Sequence, residues 1–369
     1  MKCEYSHPVE RDEPHDMPPV TPGVTDPSTR IALLTLGLGL VGFLGIGGPA
    51  QMLNLSWGLL FTEVFIFLGV PWVLIRLHRQ NPLVTTTLNQ FSPRLLGYGL
   101  LIGTLNFFAW GVPTIWGAQK VLPQKIVELF DGSVVFQNQT PVELAFIMLG
   151  VSVAAPICEE FFFRGTLQRM LPMERPAALV LTAFIFSMMH LDPVGFVTRF
   201  ELGVVFGLLA WRFNSIWAGI GAHVAHNSVS SILYFLGDEQ SEDQLDWWVV
   251  VIMFMIGNAL LAVAIRAGRS IAAAQPPHIT EESASSNLRI VAPWLAGALL
   301  SVATIVAVDW RGVQLGLIDA TLFVQRPLRS GPVEQKSQWD ELMHFRAQAR
   351  SGEITIDRYR QHRQALHKD

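Results

Sequence analysis

The chain has 369 residues, of which 50% are hydrophobic and only 15% are charged, and its mean hydropathy is +0.36. This composition excludes an ordinary water-soluble globular enzyme and is typical of a membrane protein. The formal net charge of −4 provides no basic field that could hold nucleic acid. Because Cys3 and Cys158 are the only cysteines, a disulfide framework is excluded as well.

The N-terminal segment, residues 1–30, is polar and rich in proline, so we expect a disordered tail. It lacks the basic start, short apolar stretch and cleavage site of a secretory signal peptide. The first apolar run is therefore expected to be an uncleaved anchor. We expect a transmembrane helical domain over residues 31–310 and a charged tail over residues 311–369.

Apolar runs recur along the chain at nearly the length that a membrane-spanning helix needs, which is about 20 residues. They predict an all-α fold, a polytopic transmembrane helical bundle with about eight or nine spans and a short C-terminal helical tail. The fifth and sixth runs are short for a full crossing. The runs cover residues 31–49, 57–75, 95–117, 144–163, 177–190, 200–213, 216–236, 247–265 and 290–308.

Among the connections between apolar runs, arginine residues lie mainly in those that follow the second, fourth, sixth and eighth runs. Since short loops rich in Lys and Arg stay in the cytoplasm, we predict a multi-pass protein of the cell (inner) membrane with a cytoplasmic N-terminus. The connection at residues 237–246 is acidic, as expected for the opposite face. Nine crossings would place the C-terminus outside.

The C-terminal tail, residues 311–369, holds ten Lys or Arg against seven Asp or Glu. Two amphipathic stretches around Ser351 and Gly352 predict a small helical hairpin. This hairpin resembles the short helical oligomerisation segments found at bacterial C-termini. The alternative is a solvated charged helix with no partner.

Ionisable side chains inside a membrane are unfavourable by several kcal/mol each, so their presence points to function. Glu63 and Glu201 are isolated within their runs, and for both we expect a structural role, a buried hydrogen bond or an interface position. We expect Cys158 to be a small packing residue. The histidines within apolar runs and the most conspicuous acids cluster between residues 156 and 226 and are Glu159, Glu160, His190, His223 and His226.

The spacing of these groups predicts which of them share a helix face, because four residues along a helix return to the same side. Glu160 and Arg164 can therefore pair on one stripe. His223 and Asn227 project together from another helix, one turn apart. His226 does not share that face, and we expect it to support the site or to pack between helices.

Three motifs resemble the CAAX protease and bacteriocin-processing (CPBP, also called Abi) family of intramembrane proteases. They are EExxxR at residues 159–164, FxxxH at residues 186–190 and HxxxN at residues 223–227. With its flanking sequence the resemblance spans residues 143–236, the expected protease-like core. Each motif alone is weak, but three in order on consecutive apolar segments are a strong signal.

The resemblance implies an intramembrane endopeptidase that hydrolyses a peptide bond with a glutamate-activated water. In this mechanism Glu159 is the general base and His190 assists it. His223 and Asn227 steady the oxyanion of the tetrahedral intermediate. Preorganised hydrogen-bond donors at an oxyanion are usually the largest contribution to catalysis.

The resemblance also implies that Glu160 and Arg164 support the site. A divalent metal such as zinc is the alternative to a metal-free mechanism, and Glu159, His190 and His223 would then hold it. The implied partners are the lipid bilayer and a peptide or protein substrate. A lipidated substrate is one of the kinds that the resemblance allows.

Two other classes of function compete with a protease. A transporter or channel would use the intramembrane Glu and His side chains as a proton or ion relay. A catalytically silent relative would act as a membrane scaffold or immunity protein. For a protease, we expect water and substrate to enter from the cytoplasm over the connection between Arg164 and Pro176, since Glu159 and His223 lie near the predicted inner ends of their spans.

Overall fold

The computed structural model describes residues 26–130, 135–136, 140–236, 245–268, 271, 310–325 and 334–365. These residues are almost wholly helical and include no strand, which confirms the all-α helical bundle. Five of their helices are long and apolar enough, by length and composition, to cross a membrane. The full number of crossings stays a prediction.

The helices match the first eight predicted runs in order. The first six are α1 (Pro27–Gln51), α2 (Leu55–Leu77), α3 (Pro82–Thr85), α4 (Pro93–Val121), α5 (Gln124–Leu129) and α6 (Pro141–Met170). The others are α7 (Arg175–Met189), α8 (Phe196–Phe213), α9 (Trp217–Leu236), α10 (Trp247–Ala267), α11 (Trp310–Gln325), α12 (Glu334–Ser351) and α13 (Ile356–Ala365). The ninth predicted run and most of the predicted N-terminal tail lie outside the described residues.

Four of the five long apolar helices contain a π turn shortly before a proline. Proline has no N–H and leaves the carbonyl of the preceding turn without its donor, so the backbone relaxes into a wider turn. Such irregular backbone is tolerated at membrane depth where it is buried in protein. The turns are Phe43–Gly47 before Pro49, Thr62–Leu68 before Pro71, Phe107–Gly111 before Pro113 and Gly150–Ala154 before Pro156.

Helix α6 lies at the centre of the bundle and supplies much of its core. Phe161, Phe162 and Phe163 are all fully buried. The rings of Phe162 and Phe163 contact Phe67 of α2, and Phe163 also contacts Phe186 of α7. Helix α10 lies at the edge, since only 17% of its apolar stretch is buried. The predicted site motif of α6 is therefore in the most enclosed part of the structure.

Helices α4 and α9 approach each other closely through small residues. A Cβ atom at Gly99 would lie 2.1 Å from the carbonyl oxygen of Ala218, and one at Gly103 would lie 2.1 Å from that of Ala222. On α9, a Cβ atom at Gly221 would lie 2.4 Å from a carbonyl oxygen of α4. Small residues at such contacts let helix backbones pack directly, as is common in membranes. This contact fixes the position of α9, which carries His223.

One end of the bundle gathers the connections that the sequence predicts to be cytoplasmic. Trp217 Nε1 donates a hydrogen bond to the Leu88 carbonyl at 2.8 Å, and Arg169 Nη1 donates to Asn214 Oδ1 at 2.8 Å. We call this the arginine-rich end. The arginines of the helix ends and connections that gather there are Arg76, Arg79, Arg94, Arg169, Arg175, Arg212 and Arg266.

The other end, which we call the opposite end, joins the last turns of α4 to the residues before α10. Trp116 Nε1 donates to the Leu245 carbonyl at 3.0 Å. The C-terminal helices also dock at this end, where Arg350 of α12 forms an ion pair with Glu143 in the first turn of α6. Helices α11, α12 and α13 share a small apolar core, and we call them the C-terminal unit, which docks at the opposite end.

Replacement of Gly103 by alanine should destabilise the bundle, because the new methyl group meets the backbone of α9, which cannot move aside locally. We expect a loss of about 1–3 kcal/mol, the usual effect of overpacking. Gly97→Ala is the matched control on the same helix, since a Cβ atom there has nothing within 4 Å. Thermal unfolding in detergent micelles measures both. Equal melting temperatures would contradict the close α4–α9 contact.

Candidate active site

The site is built around a buried ion pair on α6. Glu160 and Arg164 have fully buried side chains, and Arg164 Nη1 donates to Glu160 Oε1 at 2.7 Å. Arg164 Nη2 donates to the Gly203 carbonyl of α8 at 3.1 Å. The pair that the spacing in the sequence predicts is therefore formed, and it also holds α8 against α6.

Aromatic rings enclose this ion pair and exclude water from it. The guanidinium carbon of Arg164 lies 4.6 Å from the ring centroid of Phe186 and 5.3 Å from that of Phe206. Such cation–π contacts stabilise a desolvated guanidinium. On the other side, a Cβ atom at Gly219 would lie 2.8 Å from Glu160 Oε2, so only glycine leaves room for the carboxylate.

His223 of α9 joins the two adjacent carboxyl groups of α6. Its Nδ1 lies 3.3 Å from Glu160 Oε1, and its Nε2 lies 3.7 Å from Glu159 Oε2. The imidazole stacks on Phe206 at 4.8 Å between ring centroids and is itself buried. Glu159 Oε2 is buried and has no hydrogen-bond partner. The structure thus brings together Glu159, Glu160, Arg164 and His223 from two helices.

His190 lies directly after the last turn of α7, beside this cluster. Its Nδ1 is 2.8 Å from the Phe186 carbonyl. Because a carbonyl only accepts, Nδ1 carries the proton and Nε2 of a neutral ring keeps its lone pair. The ring of Phe186 contacts both His190 and His223, and the two histidines interact electrostatically. Within the described residues, no hydrogen bond joins His190 to Glu159.

Asn227 is one turn beyond His223, but its amide bonds to the backbone of α6. Asn227 Nδ2 donates to the Val151 carbonyl at 2.8 Å. Ala155 N–H is bonded to Gly150, and the next residue is Pro156, which has no N–H, so the Val151 carbonyl lacks a donor within its helix. Asn227 therefore fixes α9 to the π turn of α6, a contact that the sequence did not predict.

The sequence suggests that Glu63 is isolated, but in the structure it lies beside the site. It is buried in the π turn of α2, and its carboxyl group interacts electrostatically with that of Glu159. One helical turn further on, Phe67 contacts the phenylalanines that follow Glu159 on α6, which accounts for this placement. Glu63 Oε2 has no hydrogen-bond partner. The pairing of α2 with α6, which hydropathy does not report, creates this neighbour.

For Glu201 and Cys158 the sequence predicts structural roles, and their surroundings agree with this. Glu201 Oε2 accepts a hydrogen bond from Asn106 Nδ2 at 3.0 Å, which links α8 to α4. Cys158 is buried in the main core. Neither observation gives these side chains a part in chemistry.

A partly open cavity of about 350 Å³ borders the site at the opposite end of the bundle. Arg199 and His226 line it together with residues of α4. The charge of Arg199 interacts with Glu159, His190 and His226, and its Nη1 donates to Asp192 at 2.6 Å. Arg199 is a residue that the motif analysis missed, because it matches no part of the three motifs.

The expected entrance over the connection between Arg164 and Pro176 stays a prediction, and the end of α6 that leads to this connection is closely packed. Every residue of the segment Phe161–Leu167 is buried, and a Cβ atom at Gly165 would lie 2.8 Å from the Thr86 side chain. Phe161, Phe162 and Phe163 of this segment are packed inside the bundle. The described cavity lies at the other end of the same helices.

The predicted metal ligands do not form a metal site in the part of the chain that is described. That part contains no group of three or more His, Cys, Asp or Glu side chains arranged to hold a metal ion. Glu159 and His223 lie close together, and the Nδ1–H of His190 is bonded to the Phe186 carbonyl, which leaves its Nε2 with a lone pair. The zinc alternative stays a prediction.

Arg164→Ala should destabilise the protein by about 3–5 kcal/mol, because it leaves the carboxylate of Glu160 buried and unpaired. The double variant Glu160→Gln with Arg164→Met should lose less, since it removes both charges together. Thermal unfolding in micelles compares the two. If the single and double variants were equally stable, the buried pair would not be the main contact of this site.

The chain was compared with protein families, curated proteins and solved structures. Residues 141–229, about a quarter of the chain, match the family model described as type II CAAX prenyl endopeptidase Rce1-like. No curated protein and no solved structure matched. The matched segment contains all three motifs. Together with the apolar helices, it supports an integral membrane protein with protease activity and a peptide substrate. The match at residues 141–229 confirms the resemblance to the CAAX protease and bacteriocin-processing family.

Proposed function

We propose that this protein is an intramembrane endopeptidase in which Glu159 activates the attacking water. The observation that carries the proposal is the geometry of Glu159 itself. Its Oε2 is buried, free of hydrogen bonds and 3.7 Å from His223 Nε2, beside a carboxylate that already has its own cation. A carboxylate whose oxygen is not engaged by another donor is free to take a proton from a water as a general base.

The charges of the cluster explain how it can be buried. Glu159 and Glu160 are the acids, and Arg164 is one cation. When His223 is an imidazolium, the four side chains carry two negative and two positive charges, so the cluster is neutral. Glu160 then accepts from His223 Nδ1–H and holds the ring in place, while Nε2–H is directed toward Glu159 and the reacting atoms.

The reaction then follows from these positions. Glu159 takes a proton from water, whose oxygen bonds to the peptide carbonyl carbon. His223 Nε2–H donates to the resulting oxyanion. Collapse of the intermediate breaks the C–N bond, and Glu159 returns the proton to the leaving amine. His190 Nε2, which keeps its lone pair, accepts a hydrogen bond from the water and orients it.

Asn227 has a different part in this proposal from the one that the family resemblance implies. Its amide group already donates to the Val151 carbonyl, so in this conformation it positions α9 and thereby His223. It can assist the oxyanion only by giving up that bond. No described contact favours an ion relay, because the ionisable groups gather in one cluster rather than along a path.

Glu159→Gln should lower peptide hydrolysis at least about 100-fold, the scale of general-base catalysis, while the fold stays intact. His190→Ala and His223→Ala should each cause a large loss, and combinations with Glu159→Gln should add little, because the groups act as a unit. The assay uses the purified protein in proteoliposomes with a fluorogenic peptide pool, with and without a chelator.

Glu201→Gln is the matched control for this experiment. It makes the same chemical change on α8, outside the cluster, and glutamine can still accept the bond from Asn106. We expect it to retain hydrolysis. Undiminished hydrolysis by Glu159→Gln would refute the mechanism. A wild-type protein that cleaves nothing would favour the silent scaffold, and loss of activity with the chelator would favour the metal alternative.

A further inference from the structure

The two ends of the bundle differ in how they expose the catalytic cluster. Toward the arginine-rich end, buried side chains fill the space beyond Glu159. Phe161, Leu167, Phe213 and Ile216 are each no more than 1% exposed. A polypeptide could reach the cluster from that end only if several helices separated. The arginine-rich end is therefore the closed end.

Toward the opposite end, the cavity reaches the neighbours of the cluster. His226, one of its lining residues, is one turn beyond His223 on α9. Its Nδ1 is buried and has no hydrogen-bond partner. Arg199, also in the lining, interacts electrostatically with Glu159 and His190. The cavity is therefore lined by neighbours of the proposed catalytic cluster, while Glu159, His190 and His223 themselves are not among its lining residues.

The lining of the cavity suits a peptide. Phe107, Ile115 and Trp116 offer an apolar wall, while Thr198 and Ser230 offer polar atoms for a peptide backbone. Its volume of about 350 Å³ falls within the range of about 300–1,000 Å³ that is typical of ligand sites. The cavity therefore has both the size and the chemistry to hold a short stretch of substrate with a bulky apolar side chain.

The distribution of arginine decides which face of the membrane the cavity meets. Short loops with an excess of Lys and Arg remain in the cytoplasm. The short connections of the arginine-rich end carry that excess, so the opposite end is extracytoplasmic. The basic C-terminal unit at the opposite end does not reverse this conclusion, because long segments cross membranes largely regardless of their charge.

We infer that substrate reaches Glu159 through the cavity between α4, α8 and α9, and that this cavity opens on the extracytoplasmic face. The inference rests on the proposed protease function. The substrate class is then an exported peptide, or the extracytoplasmic segment of another membrane protein, with a bulky apolar residue in the cavity. Proteins that remain in the cytoplasm are excluded as substrates.

Single cysteines test the orientation, in a background with Cys3→Ser and Cys158→Ala that is first shown to retain hydrolysis. Ser230→Cys lies in the cavity, Val121→Cys is exposed at the same end outside it, and Met173→Cys is exposed at the arginine-rich end. A membrane-impermeant maleimide is applied to intact cells. We expect Ser230→Cys and Val121→Cys to react, and Met173→Cys to react only after permeabilisation. The reverse pattern would overturn the inference.

Hydrolysis of the fluorogenic peptide pool tests the route. Modification of Ser230→Cys should lower hydrolysis at least tenfold, whereas modification of Val121→Cys should leave it unchanged. Undiminished hydrolysis after complete modification of Ser230→Cys would show that substrate enters elsewhere.

A binding measurement tests the assignment of the cavity without any need for peptide hydrolysis. With Glu159→Gln added, the peptide pool should protect Ser230→Cys from the maleimide at least threefold, and should not protect Val121→Cys. Equal reaction rates with and without peptide would overturn the assignment of the cavity. If the wild-type protein cleaves nothing, the proposed function fails, while labelling and protection still decide the orientation and the site.

Discussion

The ion pair between Glu160 and Arg164 is the contact on which the rest of the site depends. Removing two charges from water is unfavourable by several kcal/mol for each ion, and only close geometry with further hydrogen bonds offsets this. Here the guanidinium also bonds to Gly203 and is enclosed by Phe186 and Phe206. Three helices are therefore oriented by one arginine.

The same pair determines what the neighbouring groups can do. Because Arg164 balances Glu160, the carboxylate of Glu159 is left to His223 and to water. His223 in turn is held between both acids and a ring of Phe206. A buried cluster in which every charge has a counterpart can be rigid, and rigid donors and acceptors are what a hydrolytic site requires.

Proline and glycine shape the bundle around that cluster. Pro156 leaves the Val151 carbonyl without a helical donor, and Asn227 supplies one from α9. Gly103 lets the backbones of α4 and α9 meet, so His223 and His226 are held at a fixed depth. The wide turns and small residues that weaken an isolated helix thus become the contacts that position the site and leave room for a cavity.

The sequence by itself determined the features that arise within one helix or in a short stretch of chain. Apolar runs predicted eight helices in the right order, the i, i+4 spacing predicted the bond between Glu160 and Arg164, and the three motifs predicted the family. The predictions within one helix succeed because helical periodicity determines, from residue numbers alone, which side chains are neighbours.

Only the tertiary structure decided which helices meet, and at what depth. It brought Glu63 beside Glu159, bonded Asn227 to Val151 and added Arg199 to the surroundings of the cluster. It also buried the segment around Arg164 and formed a cavity at the other end. In a uniformly apolar environment, hydropathy carries no information on which faces of two helices pack together, since small residues and polar contacts decide it.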